Sequence, residues 1–425
     1  MSSLSQSIIT NVDPGYIETY LKTKGMVRTE DEAGQDLKYW VDNLLSTGQI
    51  NIEEFEEFLL SELFYGKRKT VRVYKLDGTK NYKYPSDWEL VLEEKYGVSS
   101  INFCNILHAI PNKEELRKIA AISAEENDKG ELTRIQLLFA CFIQLNDDAG
   151  RGYTDSIAYI PVEIDFIKEI LLIKAWTRQK IALEEHKSGN LMIAIKNLME
   201  EDFKVVTKGY MAKHKKVLFH MSKRLINEAY THIPTYSDID GLNEIIQRFI
   251  SETIQGLALK NVEVDKDGKY HLLDGVLDYE AEIKNVLKSL VISDHFFDKD
   301  FDEIWRMGLE AVVARVKFND DERVLTSLSG ENTSTPIFCT KTFMSLKNRM
   351  EETEKLETLW IAMRRKRGNL NLKFDASDSE YLEILIKYGI RFGEADMILA
   401  LAIYEKYETI LNQSIAKANK IAVNQ

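Results

Sequence analysis

Apolar positions along the chain recur mostly at the 3, 4 spacing of a helix face. Such stripes run through 16–21, 37–45 and 52–64, where Phe55, Phe58, Leu59 and Leu63 mark one side. Ser86 with Glu89 and Asn112 with Glu115 have capping-box spacing and predict two more helix starts. The pattern then predicts helices over 133–145, through Ile164, Ile167, Ile170, Leu171 and Trp176 after Pro161, and over 191–199, 203–230 and 238–254. Further on it predicts helices through Ile283, Val286, Leu287, Leu290 and Val291, over 301–316, over 342–363 and from Ser377 with Glu380. A last helix runs through Met397, Leu399, Leu401, Ile403 and Ile410.

Two stretches change period. Val71, Arg72, Val73, Tyr74 and Lys75 precede Asp77-Gly78 and then Lys80, Tyr82 and Tyr84, which reads as two strands about a tight turn. A smaller hairpin is expected over 262–273, with Asp267-Gly268 at its turn. The expected fold class is therefore mainly α: two helical lobes with one or two small β-hairpins. Single cores seldom grow much beyond about 250 to 300 residues, so a chain of 425 is expected to divide. The expected plan is an N-terminal arm (1–15), a helical lobe (16–257) with a hairpin near 70–84, a junction (258–276) and a C-terminal helical lobe (277–425) with an exposed loop near 326–336.

Composition narrows the class. Six prolines leave long helices uninterrupted. Cys104, Cys141 and Cys339 lie far apart beside Phe103, Phe142 and Phe338, without metal-ligand spacing, and are expected to be buried, unpaired thiols in a reducing compartment. No charged segment followed by an apolar core opens the chain, and no window approaches 18 uncharged apolar residues, so neither secretion nor a membrane span is expected. A cytoplasmic location follows.

Charge is distributed unevenly. The chain holds 56 basic and 68 acidic residues, yet Lys204, Lys208, Lys213, Lys215, Lys216, Lys223 and Arg224 fall between Phe203 and Asn227 with no acid among them. Local potential decides where a polyanion docks, so this segment is a candidate phosphate-binding surface. The alternative is a solvated helix face whose acidic partners come from neighbouring elements. In the first hairpin Lys67, Arg68 and Arg72 accompany Tyr74 and Tyr82, a mixture of cations and rings suited to single-strand binding. Tyr is equally favoured in strands for packing, and Lys guards exposed edges. Arg364, Arg365 and Arg367 precede or flank Gly368 at an expected helix end, where cations complement the macrodipole as readily as they contact phosphate.

Enzyme templates are missing: there is no phosphate-binding Gly-x4-Gly-Lys loop, no His-Glu-x2-His and no Gly-x-Ser-x-Gly elbow. Asp274 with Glu282 and Lys284 resembles the spacing of a metal-dependent nuclease, although helical period would turn Glu282 and Lys284 to different faces. The plan as a whole, two helical lobes with a basic segment between them and an arm, is similar to that of the nucleoproteins of negative-strand RNA viruses. By that analogy the expected function is non-enzymatic binding of single-stranded RNA with self-assembly, without cofactor or metal. The alternative is a helical subunit of a larger protein complex, and a metal-dependent nuclease is third.

Overall fold

The computed structural model describes residues 4–29, 34–67, 69–78, 82–147, 152–257, 259–268, 270–273, 279–296, 301–319, 325–330, 335–365, 368–386 and 392–423. It is 45% helix and 25% strand, with twelve strands in one antiparallel sheet. The mainly α expectation is overturned.

The first quarter is helical, then sheet takes over. Helices α1 (Gln6–Asn11), α2 (Pro14–Thr23), α3 (Leu37–Ser46) and α4 (Ile52–Ser61) precede strand β1 (Thr70–Leu76) and helix α5 (Pro85–Tyr96). Side chains of Ser5, Asp13, Asp36 and Asn51 cap the first four, satisfying backbone N–H groups that the first helical turn leaves open. There follow β2 (Phe103–Cys104), β3 (Arg117–Glu126), β4 (Leu132–Asn146), β5 (Tyr153–Asp165) and β6 (Ile170–Ala175). Next come α6 (Ser188–Glu201), β7 (Thr207–Lys208), α7 (Lys213–Thr231), α8 (Asn243–Gly256), β8 (Val262–Val264), β9 (Tyr270–Leu272) and α9 (Tyr279–His295). The last part holds α10 (Phe301–Arg306), β10 (Val312–Asn319), β11 (Leu325–Ser329), α11 (Lys341–Thr353), β12 (Thr358–Arg365), β13 (Gly368–Asp375), β14 (Leu382–Ile386) and α12 (Glu394–Val423). Strand order is β11-β10-β12-β13-β14-β1-β6-β5-β4-β3-β2, with β7 beside β1.

The chain forms two compact units, Met1–His214 with Leu372–Lys406, and Lys215–Asn371 with Tyr407–Gln425. In the first, β3 to β6 form a meander. Gly130, at φ +71°, closes the β3–β4 turn, and Asn127 Oδ1 accepts from the N–H groups of Lys129 and Glu131 there. Along β4 the side chains alternate between faces. Leu137, Phe139, Cys141 and Ile143 meet Trp88 and Leu92 of α5 and Ile195 and Met199 of α6 in one apolar core. On the other face, α1 and a π-turn at Glu62–Gly66 lie against β5. The segment expected to be an arm is packed there: Leu4, Ile8 and Val12 are buried, and Asn11 Nδ2 donates to the Ile157 carbonyl at 3.0 Å.

The helices expected over 133–145 and through Ile164 to Trp176 are instead β4, β5 and β6. The cause is burial on both faces, which turns a strand into an unbroken apolar run without alternation. Pro161 lies inside β5, just beyond the last β5–β6 pair, Val162 with Ile173. Asn112 Oδ1 does accept from the N–H groups of Glu114 and Glu115, but this turn leads into β3 and not into a helix.

The expected hairpin at 70–84 is also corrected. β1 pairs with β6 on one side and β14 on the other, and among the described residues 82–84 are not strand. The smaller hairpin is present as β8 and β9, with Gly268 at φ +79° in its turn, and lies within the second unit. In that unit β10 pairs with β11 and β12, so part of the expected loop at 326–336 is strand. Among the described residues no helix is long and apolar enough to cross a membrane.

Candidate interaction surfaces

Helix α7 buries Val217, Leu218, Met221 and Leu225 on the stripe that its sequence predicts. Its cations occupy the remaining side: Lys213, Lys216, Lys223 and Arg224 are exposed. Lys215 and Lys223 are engaged by acids from elsewhere in the second unit. Lys215 Nζ lies 2.8 Å from Glu357 Oε1, and Lys223 Nζ lies 3.7 Å from Glu351 Oε2. Arg224 Nε donates to His220 Nε2 at 2.8 Å. Lys204 and Lys208 are exposed in the first unit, and Lys204 Nζ donates to the Glu201 carbonyl at 2.6 Å.

The aromatic and basic residues around β1 are mostly turned inward. Tyr74 and Arg72 are buried; the Arg72 guanidinium stacks 4.4 Å from the centroid of Tyr381 and donates to the Gly189 carbonyl at 3.1 Å. Tyr82 packs edge-on to Trp88, whose indole N–H donates to the Tyr82 carbonyl. Lys67 is half-buried over the ring of Trp176 and donates to the Thr10 carbonyl at 3.1 Å. Neither Arg72 nor Tyr74 presents a surface on which a base could stack. Arg364 and Arg365 end strand β12 and not a helix, while Arg68 and Arg367 lie outside the described residues.

A polar network missed by sequence reasoning sits on the α1 face of the first unit's strands. Glu163 on β5 accepts from Lys174 Nζ of β6 at 2.8 Å and from Arg134 Nε of β4 at 2.9 Å. Arg134 also donates to the Tyr65 hydroxyl at 2.9 Å and pairs with Glu394 at 2.6 Å. The π-turn sets the ring of Tyr65 4.3 Å from the Lys174 ammonium. Burial works to raise the Glu163 pKa, but Lys174 and Arg134 outweigh it and hold the carboxyl below its ordinary range. These groups partner one another, as the members of a structural network do.

Asp274 lies outside the described residues; on α9, Lys284 pairs with Glu280 and Glu282 accepts from Asn348 Nδ2 at 2.9 Å. Among the described residues no three His, Cys, Asp or Glu side chains are grouped to hold a metal.

In the second unit, α8 and α9 build a small core of their own: Ile246, Ile250 and Ile254 pack against Ile283, Leu287 and the β8–β9 hairpin. That stripe uses only part of the apolar surface of α8. Ile245 and Phe249, one position earlier in the same repeat, are 59% and 53% exposed, and Val286 on α9 is 67% exposed. Between them lies an open groove of about 530 Å³, with Glu282 as the charged member of its lining. Leu290, one turn beyond Val286, extends the exposed apolar row. The signal is legible in sequence: α8 has two apolar stripes where one-sided burial needs a single one.

No family model matches the chain, and no curated protein matches it.

Proposed function

We propose that the protein works by docking other protein chains on the α8–α9 groove, as a subunit of a larger assembly. The observation that carries this reading is the exposure of Ile245, Phe249 and Val286 along one concave apolar groove, with Leu290 exposed one turn beyond it on α9. Contiguous apolar patches of this kind mark interaction sites on soluble proteins, and a two-helix groove is the shape that accepts a third, amphipathic helix. Burying the open half of Phe249 and of Val286 would contribute roughly 1 kcal/mol each. Glu282 in the lining, with exposed Glu244 and Glu252 on either side of exposed Arg248 on α8, leaves a net acidic rim that favours a helix whose polar face is basic. A labelled amphipathic Leu/Lys peptide, followed by fluorescence anisotropy, tests this. Binding that disappears with Phe249→Asp and is weak for a Leu/Glu peptide is expected; binding indifferent to both changes would sink the reading. Against the expectation that all three thiols are buried, Cys104 is exposed and Cys339 half-buried, and only Cys141 is fully buried.

A second reading, binding of single-stranded RNA, is favoured by the four exposed cations of α7, Lys213, Lys216, Lys223 and Arg224. It no longer draws on a mainly helical plan, because that class is overturned by the sheet.

A further inference from the structure

The end of α12 has the properties that the groove selects. Tyr407 anchors this helix in the second unit: it is buried, and its hydroxyl donates to Glu310 Oε2 at 3.3 Å. Beyond it the helix loses cover, and every residue from 412 to 420 is exposed. Leu411, Ile415 and Ala418 follow 4, 3 spacing and draw an apolar stripe along these turns, with Ile415 45% exposed. After Glu408 the sequence contains Lys417 and Lys420 and no acid. An amphipathic helix in water is stabilised chiefly by what its apolar face packs against, and here its own chain covers Leu411 in part and leaves Ile415 and Ala418 exposed.

We infer that residues 409–420 of one copy seat in the α8–α9 groove of a second copy, an inference that rests on the groove being a docking site. Two features match. The groove is apolar with an acidic member, Glu282, and the segment is apolar with basic flanks, Lys417 and Lys420. If each copy gives its helix to the other, the assembly closes as a two-fold dimer; if the exchange runs onward it propagates as a chain of copies.

The test uses the full-length protein and mass by light scattering. Wild type should associate. Phe249→Asp, which spoils the groove, and Ile415→Asp, which spoils the helix, should each weaken association by about tenfold or more while circular dichroism stays unchanged, because both side chains are already half-exposed. Mixing the two variants restores one intact groove and one intact helix, and should recover a heterodimer that neither forms alone. Charge reversal gives an independent check: Glu282→Lys should weaken association and Lys417→Glu should restore part of it. A wild type that stays monomeric, or an Ile415→Asp variant that assembles normally, overturns the inference. If in either case the Leu/Lys peptide still binds in a Phe249-dependent way, the docking function stands without it; if the peptide does not bind, both fall.

Discussion

Lys174 has no exposed surface, and its ammonium lies 2.8 Å from Glu163 Oε2 on the neighbouring strand. A buried pair of this kind need not add stability relative to apolar residues, but removing one member leaves the other charged in a dry site. Glu163→Gln strips Lys174 of its acid and is expected to cost roughly 3–5 kcal/mol in urea unfolding. Lys174→Met should cost less, because Arg134 still faces Glu163. The pH dependence carries a sign. A carboxyl held below its ordinary pKa stabilises the fold above its unfolded value, and the contribution is lost as pH falls through the folded value. Glu163→Gln should therefore flatten the acid limb of the stability curve; an unchanged limb would remove Glu163 from that role.

Lys69 stands in the opposite position. It is 4% exposed, and burial, reinforced by Lys174, Lys67 and Arg178, lowers its pKa from 10.5 to about 7. A base whose folded pKa is depressed opposes folding fully below about pH 7, and the penalty is relieved as pH rises toward its unfolded value. Stability should thus climb between pH 7 and 9.5 by on the order of 2–3 kcal/mol from this group. Lys69→Met is expected to raise the urea midpoint at pH 7 and to abolish that climb. If the variant unfolds more easily at pH 7, the ammonium is being used by something that the folded chain needs.

How much of this was legible in the sequence depends on which faces are buried. Helices α3, α4, α7 and α8 bury one side, so Val217, Leu218, Met221 and Leu225 of α7 could be assigned to the interior from spacing alone. Strand β4 buries both sides; its run from Leu137 to Ile143 has no alternation, and it is indistinguishable by period from a buried helix. The β8–β9 hairpin was readable because Asp267-Gly268 supplies local turn chemistry, whereas the partners of β1, at β6 and β14, are set by contacts far along the chain. The Glu163 network could not be seen in advance for the same reason, since its members come from β4, β5, β6, the π-turn and the start of α12.

The packed N-terminus gives a direct stability prediction. Ile8 has no exposed surface and α1 lies against β5, so Ile8→Ala should cost roughly 2–4 kcal/mol through reduced transfer energy and a residual cavity. Deleting 1–13 should open the first unit to limited proteolysis. Unaltered thermal unfolding in both variants would mean that this helix is dispensable and that the arm expected from its polar composition describes it better.

The RNA reading stands or falls on the outward side of α7. Replacing Lys213, Lys216 and Arg224 together by Ala should leave the fold intact, since exposed cations contribute little to stability and Ala favours helix. On a single strand, every phosphate that the protein ceases to neutralise takes roughly 0.7 off the magnitude of the logarithmic salt slope, so the triple variant should lower it by about 2. Lys215→Ala supplies the contrast. Its ammonium is held by Glu357 at 2.8 Å, so its removal should cost at most about 1 kcal/mol of stability and leave the slope almost unchanged. Filter binding of a labelled oligonucleotide over a series of salt concentrations measures both. No binding by the wild type, or equal slopes in all three proteins, would show the α7 cations to be a solvated face partnered from neighbouring elements, and the groove would remain as the surface through which the protein acts.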